Sequence, residues 1–321
     1  MALSLLQVQE LQTRFFGSRG VLKAVDGVSF SVAAGETLGL VGESGSGKSI
    51  TCLSILNLVP VPGRIVGGQV LFDGEDLLKK TDTEMRRIRG KHISMILQDP
   101  MSSLNPAYSI GEQVAEAVRL HQGIRGAALW SKVEELLKLV RIPSAESRMH
   151  DYPHMFSGGM RQRVAGAIAL ACEPRLLIAD EPTTSLDVTT QSEYLRLLKE
   201  IQAKTRLAMI FITHDFGIVA KICDRVAVMY AGKIVETAPV REIFNNPMHP
   251  YTRALMESVP KADTRVKRLF AIPGQPPSLW ETSQVCPFQP RCPVGAACAA
   301  EGPPPVRNLS SDHWMRCWRD A

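Results

Sequence analysis

The chain has 321 residues, of which 45% are hydrophobic and 21% are charged, a composition that suits one large or two modest globular domains. Its formal charge of +5 is mild and comes without a basic block or an aromatic-interleaved basic stripe, which argues against a nucleic-acid partner. The apolar runs fall well short of the roughly eighteen residues of a membrane helix, and the first twelve residues lack the basic region of a secretory signal. We therefore expect a cytosolic protein.

Short apolar runs separated by glycine turns occupy the first hundred residues and predict β-strands: LLQVQEL, VLKAVDGVSFSV, ETLGLV and GGQVLFDG. After Gln98 the apolar spacing changes to three and four residues in SIGEQVAEAVRLHQ and ALWSKVEELLKLV, which predicts a helical insert over about residues 100–165. Strand-like runs return in RLLIADEP, LAMIFITHD and RVAVMYAGKIVE, with helical or turn material between them. This alternation predicts an α/β fold with a mostly parallel core sheet.

Prolines become frequent beyond about residue 245, in NNPMHPYT, IPGQPP and EGPPPV, and regular structure should thin there. We therefore divide the chain into a domain at 1–245 and an irregular C-terminal extension at 246–321. The extension contains four of the seven cysteines: Cys286, Cys292, Cys298 and Cys317. The other three lie in apolar or helical contexts and are expected to be packing residues.

A phosphate-binding loop is predicted directly after the strand Thr37–Val41. The pattern Gly, four residues, Gly, Lys, Ser is met by Gly42, Glu43, Ser44, Gly45, Ser46, Gly47, Lys48 and Ser49. The glycines let backbone N–H groups face phosphate oxygens, and the positive end of the following helix faces them as well. Lys48 would neutralise the β and γ phosphates, and the Ser49 hydroxyl would ligate Mg²⁺. A glycine-rich turn without a ligand is the alternative, and the strand-loop-helix context disfavours it.

Two carboxylates end the apolar run Leu176–Asp180 and continue into Glu181. Asp180 would position Mg²⁺, as the acid on a neighbouring strand does beside a phosphate loop. Glu181 would accept a proton from the attacking water, a role worth about 10²–10⁴ in rate. A solvated strand end is the alternative, and the presence of the phosphate loop favours the catalytic interpretation.

A second anion-binding helix start precedes the apolar run VAGAIALAC and is formed by Ser157, Gly158 and Gly159. The stretch FSGGMRQR resembles the signature motif of ATP-binding cassette (ABC) proteins, with Phe156 for the usual Leu and Met160 for the usual Gln. The resemblance extends along most of the chain. It implies a phosphate-loop NTPase of the ABC cassette type, with a mostly parallel core sheet, an N-terminal antiparallel β subdomain and a helical insert.

Further residues match cassette motifs in the family's order. Gln98 in SMILQDP matches the glutamine loop, which touches Mg²⁺ and the attacking water. Asp187 in SLD matches the loop at the dimer interface, and His214 in FITHD matches the switch histidine that contacts the γ-phosphate. Either Phe15 or Phe16 is the candidate that stacks on adenine; we assign Phe16, while either ring could equally belong to the core.

The family pairs two cassettes head to tail, so that the signature of one completes the phosphate loop of the other. In that arrangement Ser157 would act on the ATP held by the partner. The resemblance therefore implies a single chain with two half-sites, and an ATPase that is weak in isolation.

Three stretches narrow the resemblance to bacterial dipeptide and oligopeptide importers of the DppD/OppD type: SMILQDPMSSLNP, FSGGMRQR and NPMHPYT. The resemblance implies an ATPase that works with a second, F-type cassette, two transmembrane permeases and an extracytoplasmic solute-binding protein. It would lie peripherally on the cytoplasmic side of the inner membrane. Related systems carry nickel, glutathione or another small solute, so those substrates stay open. Soluble non-transport cassettes, exporters and iron-sulfur enzymes with an incidental nucleotide site are further alternatives.

The four cysteines of the extension must be interpreted in a reducing cytosol, where disulfides are disfavoured and grouped thiols more often hold a metal. Zinc sites commonly use cysteine pairs two to four residues apart, whereas five residues separate Cys286 from Cys292 and five separate Cys292 from Cys298. Four thiolates are the usual complement for an iron-sulfur cluster. The spacing resembles the C-terminal motif of D-type peptide importer subunits, which implies a structural 4Fe-4S cluster ahead of zinc or simple packing.

Overall fold

A computed structural model gives the fold. It describes residues 4–99, 103–259, 270–280, 285–298 and 302–319. These residues form two compact units. The terminal unit comprises residues 4–32, 37–78 and the described residues from 213 onward, and the central unit comprises residues 33–36 and 79–212.

The first elements along the chain are β1 (Ser4–Gly17), β2 (Gly20–Ala33), β3 (Thr37–Val41), α1 (Lys48–Ile55), β4 (Gly63–Phe72) and β5 (Glu75–Asp76). They are followed by α2 (Asp82–Ile88), β6 (Ile93–Ile96), α3 (Ile110–Gln122), α4 (Gly126–Leu139), α5 (Ala145–Arg148) and α6 (Gly158–Leu170). The next are β7 (Leu176–Asp180), α7 (Val188–Thr205), β8 (Ala208–Thr213), α8 (Phe216–Ile222), β9 (Arg225–Tyr230) and β10 (Lys233–Pro239). The last are α9 (Val240–Asn245), α10 (Pro250–Ser258), β11 (Val306–Asn308) and β12 (Trp314–Arg316).

The terminal unit contains an antiparallel sheet in the order β2, β1, β4, β5. Within it Leu6 lies opposite Phe72, and Val8 lies opposite Val70, so apolar side chains recur at every second residue on one face. These four side chains are buried, which is the burial that a period-2 pattern predicts. The N-terminal antiparallel β subdomain predicted from the sequence is confirmed.

A second set of strands in the terminal unit is centred on β9. Strand β3 pairs parallel with β9, and β9 pairs antiparallel with β10. The single predicted run RVAVMYAGKIVE is therefore a hairpin, which turns at Ala231 and Gly232, both with positive φ. Two consecutive residues with positive φ are typical of the tight turns whose twist matches paired strands.

The central unit has three parallel strands, β6, β7 and β8, of which β7 pairs with both others. Every residue of β7 and β8 is buried, which explains why these strands appear in the sequence as continuous apolar runs and not as alternating ones. Helices α3, α4 and α6 pack on one another, in the part of the chain where the sequence predicts a helical insert. Helix α3 begins with a capping box, in which Ser109 and Glu112 each accept the other's backbone N–H.

Regular structure thins after α10, as the proline content indicates, but it does not end. The short strand β12 pairs antiparallel with β10, and β11 pairs with β12. The sequence did not reveal these strands, because each has only three residues and three residues carry little periodicity. Within the described ranges, every helix is too short or too polar to cross a lipid bilayer.

Candidate functional site

The loop that the pattern predicts to bind phosphate lies between β3 and α1 in the terminal unit. Gly42 and Gly47 both have φ in the left-handed region, at 151° and 104°. A Cβ on Gly42 would lie 2.1 Å from the carbonyl oxygen of Met229, and one on Gly47 would lie 2.3 Å from that of Ala24. Glycine is therefore required twice, because neighbouring backbone leaves no room for a side chain.

Lys48 is buried at the first position of α1, and its ammonium group lies within the curve of the loop. Its Nζ donates hydrogen bonds to the carbonyl oxygens of Gly42 and Glu43, at 2.8 and 2.9 Å. The hydroxyl oxygen of Ser46 lies 3.4 Å from the same nitrogen. The lysine is thus positioned by the loop that it would serve, and a positive charge is concentrated at the start of a helix.

Glu43, a variable position of the loop pattern, makes contacts that the sequence did not predict. Its backbone N–H donates to the hydroxyl of Tyr251 at 2.9 Å. Its carboxylate accepts two hydrogen bonds from the guanidinium of Arg291, at 2.7 and 2.9 Å. Nothing in the local sequence marks Arg291, which lies between a proline and a cysteine of the extension.

The central unit contains the acidic pair at the end of β7. Asp180 is buried and closes the strand, whereas Glu181 is part-exposed and has a φ of 45°, in the left-handed region. The Glu181 carboxylate accepts hydrogen bonds from Gln98 Nε2 at 3.2 Å and from the Thr184 hydroxyl at 3.0 Å. The structure therefore brings together Gln98 and Glu181, which are 83 residues apart, and adds Thr184 to them.

The predicted signature residues form the start of α6, also in the central unit. Ser157 is the N-cap residue, and its hydroxyl accepts a hydrogen bond from the backbone N–H of Met160 at 3.4 Å. A Cβ on Gly158 would meet open space, while one on Gly159 would lie 2.4 Å from a methyl carbon of Thr190. The helix start is thus accessible at Gly158 and tightly packed one residue later.

Asp187 caps α7 and shares Thr190 with the signature helix. Its carboxylate accepts hydrogen bonds from the backbone N–H groups of Thr189 and Thr190 and from the Thr190 hydroxyl, the last at 2.7 Å. The bonds from Thr190 lower the pKa of Asp187, because they favour the ionised carboxylate. Thr190 therefore contacts both Gly159 of the signature stretch and Asp187, two residues that were predicted as site residues on separate grounds.

His214 and the two candidate aromatic residues belong to the terminal unit. His214 is exposed and follows the last residue of β8. Phe15 is packed, since a Cβ on Gly63 would lie 2.7 Å from its ring. Phe16 is 43% exposed, and the guanidinium carbon of Arg64 lies 6.0 Å from its ring centre. Phe16 is thus the more exposed ring of the pair, while Phe15 is half-buried.

The four cysteines of the extension line one small cavity in the terminal unit, with His249, Phe288 and Trp318 among its other walls. Burial, together with the neighbouring thiols of Cys317 and Cys292, raises the pKa of Cys286 to about 11. Burial also raises the pKa of Cys292. Among the residues that the structure describes, no three His, Cys, Asp or Glu side chains converge closely enough to hold one metal ion.

Comparison with known proteins places the fold and motifs in a class. The family model described as ABC transporter matches residues 25–184, and the model for the C-terminal region of oligopeptide/dipeptide transporters matches residues 235–298. A dimeric structure of the ATP-binding cassette MJ0796 bound to ADP and Pi superposes with a TM-score of 0.65 at 25% identity, covering 74% of this chain and 99% of that one. The fold and the phosphate loop thus define an ABC-type ATPase.

The curated relatives narrow the class. The dipeptide transport ATP-binding protein DppD of Bacillus subtilis is 48% identical over 98% of this chain and 94% of its own length. The oligopeptide transport ATP-binding protein OppD of Salmonella typhimurium is 47% identical over 98% and 93%. A probable peptide ABC transporter ATP-binding protein of Sinorhizobium fredii is 50% identical over 98% and 95%. The chain belongs to the DppD/OppD family of ABC transporter ATP-binding subunits.

Gly42→Ala should lower ATP turnover by about 10²-fold, because a shift of about 1 Å in a positioning element has that effect. The new Cβ would meet the Met229 carbonyl, so the loop must move. Gly45→Ala is the matched control, since a Cβ there meets no atom within 4 Å and only the left-handed φ of 77° is strained. Steady-state ATPase assays and ATP titrations should rank the two variants in that order, and equal losses would contradict the steric argument.

Proposed function

We propose that the protein hydrolyses ATP to power the uptake of dipeptides or oligopeptides through an ABC importer of the bacterial inner membrane. One observation carries the proposal: a phosphate loop and the C-terminal region typical of oligopeptide/dipeptide transporters occur in the same chain. We take residues 1–245 as the ATPase domain, with its helical subdomain at about 100–165, and residues 246–321 as the transporter-type extension.

The roles at the nucleotide follow from residue chemistry. Lys48 neutralises the β and γ phosphates, while Ser49 and Gln98 ligate Mg²⁺ and Asp180 positions it. Glu181 takes the proton from the attacking water, and its hydrogen bond with Gln98 supports this role, because the amide fixes the carboxylate where water and metal would meet.

Two exposed side chains complete the set in this proposal. His214 contacts the γ-phosphate and signals its presence to the rest of the cassette. Phe16 stacks on adenine, a role supported by its exposed ring and by the packing of Phe15 against Gly63.

We propose a head-to-tail dimer with a second, F-type cassette. Ser157, Gly158 and Gly159 of this chain then bind the ATP held by the partner, and Asp187 lies at the dimer interface. The open space above Gly158 supports an anion site at the start of α6. The similar cassette MJ0796 is itself dimeric.

The other partners in this proposal are two transmembrane permeases and an extracytoplasmic solute-binding protein, with this chain peripheral on the cytoplasmic side. That binding protein selects the solute, so nickel, glutathione or another small molecule would use the same ATPase chemistry. A non-transport cassette is the remaining alternative, and the C-terminal region model argues against it.

Purification from native membranes in mild detergent tests the assembly. We expect a complex with two permeases and a second cassette, together with ATP-dependent uptake of a labelled dipeptide or oligopeptide by membrane vesicles. The Lys48→Ala variant is the control, because loss of the phosphate-binding ammonium should abolish uptake while the complex still forms. Recovery of the chain without permeases, or peptide uptake unaffected by Lys48→Ala, would contradict transport.

Glu181→Gln should lower ATP turnover by about 10²–10⁴-fold, because the amide cannot accept the water proton, while ATP still binds. The ATP-bound variant should then accumulate as a closed dimer with its mate, detectable by size-exclusion chromatography with light scattering. Glu116→Gln, at an exposed position on α3, should turn over normally. Full ATPase activity in a verified monomer would refute the head-to-tail arrangement.

We further propose that Cys286, Cys292, Cys298 and Cys317 hold a structural 4Fe-4S cluster. One Zn²⁺ requires all its thiolates within about 2.3 Å of a single point. The four thiols line one cavity, as the ligands of a single cluster would. A bound cluster would cross-link a segment with few buried apolar residues, and ligation would keep Cys286 and Cys292 ionised although burial raises the pKa of both.

Protein purified without oxygen should be brown and should carry about four iron atoms per chain. Cys292→Ser should lose the colour and most of the iron, since one thiolate ligand is gone. Cys172→Ser, outside the cavity, should retain both. Metal analysis and absorption spectra provide the measurement, and stoichiometric zinc without iron in the wild type would overturn the assignment.

A further inference from the structure

Two residues that follow strand β10, Tyr251 and Arg291, hold the phosphate loop. Both bind to Glu43 of the loop. Tyr251 is the second residue of α10, and Arg291 lies beside Cys292 in the extension. Both reach Glu43, the second residue of the loop, one at its backbone N–H and the other at its carboxylate. The loop is thus attached to parts of the chain more than 200 residues away.

The Arg291 guanidinium is built into a fixed position. Its side chain is only 4% exposed, and every donor nitrogen has a partner. Besides the two bonds to Glu43, Nη1 donates to the Tyr230 hydroxyl at 3.2 Å, and Nε donates to the carbonyl oxygen of Pro273 at 3.0 Å. A buried, paired charge is costly to break, because removal of either partner leaves the other unpaired.

The tyrosine is equally constrained. Tyr251 is fully buried and packs against Tyr230, with ring centres 4.5 Å apart, and against Phe288, at 5.3 Å. Its hydroxyl accepts the Glu43 N–H, so that amide is fixed in direction and is not among those that turn toward a phosphate. Aromatic packing therefore sets the point at which the loop leaves β3.

Glu43 is held at three groups at once, since its carbonyl oxygen also accepts a hydrogen bond from Lys48 Nζ. The ammonium that would neutralise the phosphates is thus connected through one residue to Tyr251 and Arg291. A loop binds phosphate more tightly when its backbone N–H groups are already oriented toward the ligand. Ordering a mobile loop on binding would cost free energy and lower the affinity.

We propose that Arg291, with Tyr251, is a positioning residue for nucleotide binding, which acts by holding Glu43 and thereby the phosphate loop. The inference rests on the proposed role of that loop. Neither residue touches the nucleotide, and both act through Glu43. The C-terminal extension thus supports the ATP site without contacting the nucleotide.

The first test measures ATP affinity of the full-length protein by titration with MgATP. Arg291→Met should weaken binding by at least about tenfold, as expected when one partner of a buried charge pair is truncated. Glu43→Gln should weaken it too, and the double variant should be no worse than the poorer single variant, because the two residues act as one unit. Arg307→Met, in the same extension, should bind ATP as the wild type does, since Arg307 Nη2 contacts the Trp318 carbonyl and not the loop.

A second test separates positioning from general stability. Tyr251→Phe removes only the hydroxyl, so the packed ring stays and the protein should fold. Hydrogen exchange followed by mass spectrometry should then be faster in the peptide that contains residues 42–48, with the rest of the chain unchanged, and ATP affinity should fall. Arg291→Lys should recover part of the affinity that Arg291→Met loses, because it restores a charge that can reach one carboxylate oxygen.

The outcomes distinguish this inference from the proposed function. Wild-type affinity in folded Arg291→Met and Tyr251→Phe, or faster exchange spread evenly over the chain, would overturn the positioning role while Lys48→Ala still abolished ATP binding. Undiminished ATP binding in Lys48→Ala would instead overturn the phosphate loop as the nucleotide site.

Discussion

The structure depends on the close approach of one loop to neighbouring backbone. Between β3 and α1 the chain passes Met229 of β9 so closely that a single Cβ at Gly42 would overlap a carbonyl oxygen. The parallel pairing of β3 with β9 fixes the start of that loop, and Lys48 fixes its curvature from inside through the carbonyls of Gly42 and Glu43. Sheet pairing, steric exclusion and one buried ammonium together hold the loop in its curve.

In the central unit, hydrogen bonds from amide and hydroxyl groups hold two carboxylates, Glu181 and Asp187, in fixed orientations. Glu181 accepts hydrogen bonds from the Gln98 amide and the Thr184 hydroxyl, which fix the direction of its carboxylate. Asp187 is held in a similar way by backbone and hydroxyl groups of Thr190. In both cases neutral donors orient a carboxylate, and at Asp187 they also lower its pKa, because they favour the ionised form.

Much of this could be predicted from the sequence, because the determining signals are local. The phosphate loop, the strand that ends at Asp180 and the helix start at Ser157 are each marked by fewer than ten consecutive residues. The strands β11 and β12 are too short to show periodicity. The choice between Phe15 and Phe16 depends on burial, which adjacent residues of the same type cannot reveal. The pairing of Arg291 with Glu43 depends on tertiary folding alone, and no spacing rule connects residues so far apart.

The separation between those two residues also has a consequence for synthesis. Glu43 and Arg291 lie 248 positions apart, so the phosphate loop emerges from the ribosome long before the arginine that holds it. At about 5–20 residues per second, the delay is roughly 12–50 seconds. During that interval the nascent chain contains the phosphate loop but not Arg291, the residue that binds Glu43. The phosphate loop is thus fully held only after the extension has been translated. A chain that stops short of residue 291 would contain every cassette motif but would lack the contact between Arg291 and Glu43.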